Sequence, residues 1–295
     1  MSARPSPYGS RSIKTRRRRT KAEMGAIREA IFTSLRCDHP QTIRQLFYGL
    51  TVTGVIAKTE AEYKTVVRLT GEMRRAGVLP YKWIADATRW MRKPRTFDSL
   101  ESALKITAQT YRRSLWAESR DYVEIWIEKE ALAGVVVDVT DEYDVPLMVT
   151  RGYPSLTFVQ SAAVEINARC QFTTVYYLGD HDPSGVDISR KLEADLHEFT
   201  DGVMGFERIA VTDEQISSWA LPTRPTKKSD TRAKGFRGES IELDAIPAPV
   251  LRRLVRDAIE LHVDKRQLDV LRTAETEERR VLEEMAATLN GGGSS

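Results

Sequence analysis

Two aspartates separated by one residue follow an apolar run in the second half of the chain. The stretch YYLGDHDPSG, residues 176–185, places Asp180 and Asp182 after a strand-like segment, and the Pro-Ser-Gly beyond them fits a tight turn. Glu128 directly follows another strand-like run, DYVEIWI. Acids at the carboxyl ends of parallel strands can meet in one crevice, and such oxygen ligands suit Mg²⁺ or Mn²⁺. The spacing therefore favours a metal site formed by Glu128, Asp180 and Asp182.

A structural alternative exists for the second aspartate. Asp-Pro-Ser-Gly is also a helix start, with Asp182 or Ser184 as the N-cap residue. One acid alone would favour this interpretation, whereas three acids in equivalent positions favour the metal site. His181, between the two aspartates, is expected to face solvent because its neighbours point the opposite way.

A second candidate for chemistry lies in QTIRQLFYGL, residues 41–50. Arg44 and Tyr48 are four residues apart, so they are neighbours on a helix. They are predicted to lie off its apolar stripe, which consists of Ile43, Leu46, Phe47 and Leu50. A guanidinium beside a phenol can hold a phosphate against a hydroxyl nucleophile. Taken alone, the pair is more simply explained as a boundary tyrosine stacked on an arginine.

The surrounding elements predict two different halves. The first is helical, with helices from Lys21 to about Arg36, over residues 41–50, and from Thr59-x-x-Glu62 to Gly77. An extended piece, VLPYKWI, follows, and the order is typical of a winged helix-turn-helix. From residue 121 strands and helices alternate as β-α-β, which predicts an α/β fold with a parallel sheet and helices on both faces.

Charge is unevenly distributed along the 295 residues. Residues 1–22 carry eight basic residues and no acid, although the whole chain has a net charge of only +3. Residues 221–240 form a second basic stretch, which includes Lys227 and Lys228. Both stretches suit a phosphate backbone, and a solvated tail or an ordinary surface loop explains them equally well. Nucleic acid is therefore the partner that the charge distribution suggests.

Composition indicates the cellular compartment in which the protein is expected. No apolar stretch approaches the roughly 18 residues that a membrane span needs, so no membrane association is expected. Cys37 and Cys170 form no CxxC pair, which excludes a zinc ribbon and fits a reducing cytosol. A cytoplasmic, nucleoid-associated protein is expected.

Three motifs in order resemble a known family. IEKEALAGVV, TRGYPSLTF and YLGDHDPSG together resemble the Toprim domain of topoisomerases and primases, and more specifically the A subunit of topoisomerase VI and its meiotic break-forming relatives. That family places a winged-helix, CAP-like domain with an Arg-x-x-[Tyr/Phe]-Tyr stretch ahead of the Toprim domain, and Arg44 to Tyr48 matches it. The resemblance covers roughly residues 25–265 and includes ELDAIP at 242–247. The chain is most similar to the compact mini-A type of mobile elements.

The resemblance implies a domain organisation. A basic arm at 1–22 would precede a winged-helix domain at 23–118 and a Toprim domain with a mostly parallel sheet at 119–265. A C-terminal helix and flexible tail would follow at 266–295.

The resemblance also implies an activity. Tyr48 would attack double-stranded DNA and form a 5′-phosphotyrosyl link, Arg44 would hold the phosphate, and Glu128, Asp180 and Asp182 would bind Mg²⁺ or Mn²⁺. The candidate DNA contacts are Arg74, Arg75, Arg151, Lys227 and Lys228. A homodimer is expected, in which Tyr48 of one subunit faces the metal of the other. No nucleotide-binding box appears, so an ATP-driven cycle would need a separate ATPase subunit.

Two other functions remain open at this point. A Toprim nuclease of a defence or mobile-element system would hydrolyse DNA without a covalent intermediate, and Tyr48 would be a bystander. A non-enzymatic DNA-binding protein would use the basic arm and the winged helix alone.

Overall fold

A computed structural model describes residues 19–85, 96–200, 204–224, 236 and 239–291. The first part is helical, as predicted: α1 is Lys21–Cys37, α2 is Ile43–Val52, α3 is Glu60–Arg75 and α4 is Leu100–Thr110. The first three helices begin at threonines whose hydroxyl groups accept a backbone N–H three residues on, namely Thr20, Thr42 and Thr59. These caps fix where each helix starts.

The prediction that VLPYKWI forms an extended piece is wrong. Pro80 begins a single 3₁₀ turn at Tyr81–Trp83, and only Ile84 forms a one-residue parallel bridge, with Gln41. The indole of Trp83 stacks on His39 with ring centroids 4.7 Å apart, and this contact favours the turn over a strand. Within the described part of the helical half no two-stranded wing is present, so the winged-helix assignment stays a prediction.

The second part is an α/β unit with a four-stranded parallel sheet, which confirms the predicted α/β class and parallel sheet. The strands are β1 Asp121–Ile127, β2 Leu147–Val149, β3 Phe172–Leu178 and β4 Met204–Ala210, in the order β2-β1-β3-β4. In the register of β1 and β3, Ile127 lies opposite Leu178. The two central strands therefore end at the same level. The residues that follow them, Glu128 and Gly179, lie at the same edge of the sheet.

Helices cover both faces of this sheet. They are α5 Glu130–Glu142, α6 Leu156–Ala168, α7 Pro183–Phe199, α8 Asp213–Ser218, α9 Ala248–Glu260 and α10 Lys265–Gly291. α5 and α9 pack together over one face, and α6 and α7 pack together over the other. α10 packs back along α4. No described helix is both long and apolar enough to cross a membrane.

The helical half and the sheet share one hydrophobic core. Ile31 of α1 and Leu46 of α2 belong to the same buried cluster as Ile125 of β1 and Leu251 of α9. A second cluster around Trp126 fills the opposite face of the sheet. The shared core joins α2 to the α/β part, and the contact of α2 with the 3₁₀ turn Leu243–Ala245 sets the position of Tyr48.

Candidate active site

The carboxyl edge of β1 and β3 brings two of the three predicted metal ligands together. The backbone N–H of Glu128 donates to Leu178 O at 2.9 Å, which extends the strand pairing by one residue. The backbone N–H of Asp180 then donates to Glu128 Oε2 at 3.0 Å. A Cβ atom at Gly179 would lie 2.6 Å from the Tyr177 ring and 2.9 Å from that same oxygen, so a larger residue would displace these side chains.

Negative charge is concentrated at Glu128. Burial and then the charge of Asp180 raise the pKa of Glu128 to about 7. The phenol of Tyr177 lies beneath this edge, and its pKa is raised well above the usual value by burial and then by Glu128. The edge therefore favours a positive charge at Glu128, whether a proton or a cation.

Asp180 is only 5% exposed and both of its carboxylate oxygens have partners. Oδ1 accepts the backbone N–H of Leu243 at 2.9 Å, and Oδ2 lies 2.8 Å from Lys129 Nζ. Burial acts to lower the pKa of Lys129, but Asp180, Asp244 and Glu242 together raise it. A lysine within the chain thus supplies part of the compensation that a metal would supply.

Asp182 has the capping role that the sequence left open. Its Oδ1 accepts the backbone N–H of Gly185 at 2.8 Å and so caps α7, while Oδ2 accepts from Arg224 Nη2 at 3.1 Å. Gly185 is required by close packing, because a Cβ atom there would lie 2.1 Å from Asp180 O.

The prediction that His181 faces solvent is wrong. Its backbone pairs with Ile241 in an antiparallel bridge, and its side chain is only 13% exposed beside Phe236. Burial lowers the pKa of His181, although Asp213 lies 3.6 Å away. The bridge with residue 241 could not be seen in the local pattern of the sequence.

The donor chemistry of this edge fits a divalent cation only in part. Glu128 and Asp180 offer hard oxygen ligands, and the pKa of Glu128 is raised first by burial and then by the negative charge of Asp180. Asp182 faces Arg224 instead. Among the described residues no group of three or more His, Cys, Asp or Glu side chains is arranged to hold a metal ion.

The helical position of Tyr48 predicted that it faces away from the core, and this prediction is wrong. It is only 7% exposed, because the 3₁₀ turn Leu243–Ala245 and the residue before it pack against that face of α2. The Tyr48 hydroxyl donates to Glu242 Oε2 at 2.8 Å. Arg44 Nη1 donates to Oε1 and Oε2 of the same carboxylate at 2.9 and 2.7 Å. Arg44 and Tyr48 therefore meet, as predicted, but on an acid from the other half of the chain.

This contact sets the protonation of three groups. Burial and then the charge of Glu242 raise the pKa of Tyr48 well above its usual value. Burial alone would raise the pKa of Glu242, but the hydrogen bonds and charges of Arg44, Tyr48 and Arg224 together lower it. The pKa of Arg44 is raised by Glu242 against the effect of burial. At neutral pH the site therefore holds a protonated phenol and an ionised carboxylate.

An open cavity of about 180 Å³ lies beside Tyr48. Arg224 reaches it from the basic stretch, and its Nη1 donates to Glu242 Oε1 at 2.5 Å. Lys58, just before α3, places Nζ 5.1 Å from the centroid of the Tyr48 ring and donates to the carbonyl of Thr223.

The segment 242–244 joins the two sets of candidate residues. Glu242 contacts Tyr48, the next backbone N–H contacts Asp180, and Asp244 Oδ1 accepts from Thr42 Oγ1 at 2.9 Å. The segment was noticed in the sequence only as part of ELDAIP. Two acids in a short apolar stretch were a signal for a buried polar role that the sequence interpretation did not use.

The predicted DNA contacts are dispersed. Arg74 stacks on the Tyr81 ring at 4.5 Å, and Arg75 is exposed at the end of α3. Arg151 follows β2, so it lies at the same edge of the sheet as Glu128, and it pairs with Glu130. Lys227 and Lys228 lie outside the described residues.

Fold and site together describe a helical module that packs against a parallel α/β sheet, with its tyrosine at the junction. A search against models of protein families gives no match, and a search of curated proteins gives none either. The function is therefore argued from the site and from the motifs.

Proposed function

We propose that this chain is an Mg²⁺-dependent DNA-cleaving and rejoining transesterase of the type IIB topoisomerase class, and that it acts through Tyr48. One observation carries the proposal. The Tyr48 hydroxyl and the Asp180 carboxylate are bonded to consecutive residues, Glu242 and Leu243. Residues 242 and 243 thus link Tyr48 to the carboxylate edge although the two are far apart in sequence, and this link supports a common role.

In the proposed reaction the Tyr48 oxygen forms a bond to a backbone phosphorus of double-stranded DNA and the bond to the 3′-oxygen breaks. The products are a 5′-phosphotyrosyl link and a free 3′-hydroxyl. The phenolic proton passes to Glu242, which already accepts its hydrogen bond, and the departing 3′-oxygen takes a proton from water. The phosphodiester bond energy is kept in the link, so the 3′-hydroxyl can reverse the step.

Arg44 would hold the phosphate during this step. Its Nη1 atom is engaged by Glu242, and its side chain is 42% exposed, so the rest of the guanidinium is accessible to an anion. A guanidinium binds phosphate oxygens in pairs and stabilises the charge that builds up in the transition state.

Glu128 and Asp180 would hold the cation. A bound Mg²⁺ would supply charge neutralisation of phosphate oxygens. Lys129 already neutralises one oxygen of Asp180 and would help to keep the carboxylates in place before DNA arrives. Asp182 would contribute by orienting Arg224 and by starting α7.

A homodimer would supply the two tyrosines that a double-strand break requires. In the shared-site form of this proposal, Tyr48 with its Glu242 partner faces the carboxylates of a second copy. Mixing Tyr48→Phe with Asp180→Ala subunits then restores nicking, whereas a mixture that stays inactive contradicts the shared site. A separate ATPase subunit and a cytoplasmic, nucleoid-associated location belong to the same proposal.

The second candidate is a Toprim nuclease in which water attacks the phosphorus. The specific observation in its favour is that Tyr48 is buried and bonded to Glu242, with a raised pKa. In that case Tyr48 is a structural residue that anchors α2, and cleavage leaves free 5′-phosphate ends.

One experiment separates the two. Supercoiled plasmid is incubated with the protein and Mg²⁺ or Mn²⁺, the reaction is stopped with detergent, and products are compared with and without protease. The transesterase releases its DNA ends only after protease, and Tyr48→Phe forms no protein-linked DNA. Wild-type cleavage by Tyr48→Phe would establish the nuclease instead.

A further inference from the structure

The cavity beside Tyr48 is lined by three cations and has an unequal charge balance. Arg44, Lys58 and Arg224 face it, with Glu242 as the shared carboxylate of the two arginines. Glu60 is at its rim, but its side chain is 74% exposed and lies 3.7 Å from Lys64. Arg224 is also paired with Asp182, whose Oδ2 lies 3.1 Å from its Nη2, so the excess positive charge beside the cavity is that of Lys58.

Lys58 is the cation that lacks a carboxylate. In the described part of the chain it forms no ion pair, and its hydrogen-bond partner is the neutral carbonyl of Thr223. Its ammonium group also lies 5.1 Å from the Tyr48 ring centroid, so it is positioned by a carbonyl and by an aromatic face. These two contacts hold the charge beside the phenol and leave it available to an anion.

The bonding of Glu242 indicates which anion fits. Its two oxygens accept from Arg44, Arg224 and Tyr48, and two oxygens of a phosphate can accept from the same types of donor. Because the cavity is open and about 180 Å³ in volume, it has room for one phosphate with part of its sugars.

We propose that this cavity binds one phosphodiester group of DNA, with Lys58 and Arg224 as contacts in addition to Arg44. This inference rests on the proposed function, since it assigns the residues that would place a phosphate next to Tyr48. In this arrangement Lys58 positions the phosphate. The phosphate competes with the Glu242 carboxylate for the two arginines.

The test measures binding without cleavage, in chelator and at constant ionic strength. Thymidylyl-thymidine, which carries a single phosphodiester, and inorganic phosphate are titrated into the full chain by calorimetry. Lys58→Met, which keeps the aliphatic stem, is expected to weaken dinucleotide binding roughly tenfold, as for loss of a charge-assisted hydrogen bond. Lys58→Arg keeps binding within about twofold of wild type because it retains the charge. Lys105→Gln, an exposed lysine of α4, is the matched control and leaves binding unchanged.

Duplex DNA supplies the second readout. Lys58→Met is expected to reduce the slope of log affinity against log salt by about one, the value for one lost phosphate contact. Wild-type dinucleotide affinity in Lys58→Met overturns the inference. Binding of inorganic phosphate without binding of the dinucleotide also overturns the inference, because it would indicate a free-phosphate site.

Failure of this inference and failure of the proposed function give different results. If the wild type forms no protein-linked DNA but Lys58→Met still loses the dinucleotide, the phosphate site stands and the transesterase proposal fails. If protein-linked DNA forms and Lys58→Met matches the wild type in adduct yield and dinucleotide affinity, the transesterase proposal stands and the phosphate site fails.

Discussion

Glu242 and Glu128 are both shielded carboxylates, yet their pKa values move in opposite directions. At Glu242 burial acts to raise the pKa, but Arg44, Tyr48 and Arg224 together outweigh it, and the pKa falls. At Glu128 burial and then Asp180 raise the pKa to about 7. Burial raises the pKa of both carboxyl groups, and the sign of the net shift differs because cationic donors surround Glu242 whereas Asp180 adds negative charge beside Glu128. One region holds a carboxylate among cations, and the other gathers carboxylates beside Lys129 and the partly buried Arg208, so a phosphate suits the first and a cation suits the second.

The largest effect on stability is expected at the cation-rich region. Glu242→Ala removes the partner of two arginines and of Tyr48, and it should lower the free energy of unfolding by about 2 to 4 kcal/mol, less than for a fully buried pair because both arginines are partly exposed. Urea denaturation measures the change. Glu60→Ala, at the exposed rim of the same cavity, should stay within about 0.5 kcal/mol of wild type. Equal values for the two variants would contradict the importance assigned to Glu242.

The acid edge has a comparable weak point in its backbone. Gly185→Ala places a Cβ atom 2.1 Å from Asp180 O, so the turn must move, at a cost of about 1 to 3 kcal/mol. Thermal and urea unfolding report it. Gly71→Ala in α3, with no atom within 4 Å of the new Cβ, is the control and should gain about 0.5 to 1 kcal/mol. A neutral Gly185→Ala would mean that the turn is not closely packed.

The two glutamates should also differ in pH dependence. Because folding raises the pKa of Glu128, its contribution to stability is fully present below the usual pKa of 4.5 and is lost as pH rises through about 7. Glu128→Gln removes this loss, so without metal the variant should exceed wild type by about 1 to 2 kcal/mol at pH 8 and match it near pH 4.5.

Urea unfolding in chelator at both pH values measures this difference. Glu118→Gln, at an exposed position, should show no such pH-dependent gain. A Glu128→Gln variant that is less stable than wild type at pH 8 would contradict the concentration of negative charge at this edge.

The smallest effect is expected at the protein surface. Arg75→Gln, at the exposed end of α3, should weaken duplex binding about threefold and reduce the salt slope by about one, with little change in stability. Fluorescence anisotropy at several salt concentrations measures both. Arg280→Gln on α10 should leave them unchanged, because Glu277 and Glu284 already engage this arginine. Identical behaviour of the two variants would remove α3 from the DNA contact surface.

Local patterns predicted most of the elements. The apolar spacing around Leu46 predicted α2. The apolar run that ends at Leu178 predicted β3, with the two acids directly after it. Both are decided by residues close in sequence, as helix periodicity and strand patterns are. The meeting of Glu128 and Asp180 also followed, because parallel strands end at a common edge.

What failed depended on contacts distant in sequence. Tyr48 lies off the apolar stripe, yet it is buried because Glu242, 194 residues away, packs against it. His181 is covered through its bridge with Ile241, and Lys129 neutralises Asp180 from another strand end. No local periodicity contains these contacts, so the sequence indicated the chemical groups without their partners.

The central claim is that Tyr48 carries the chemistry, and covalent mapping tests it most directly. Plasmid reactions with Mg²⁺ or Mn²⁺ are stopped with detergent, the protein is digested with trypsin and the DNA with nuclease, and the tyrosine peptides are analysed by mass spectrometry. The account predicts a 5′-linked nucleotide on Tyr48 and none on Tyr63, whose ring lies beside Arg44 at 5.3 Å. Cleaved DNA with free 5′-phosphates and an unmodified Tyr48 would contradict it.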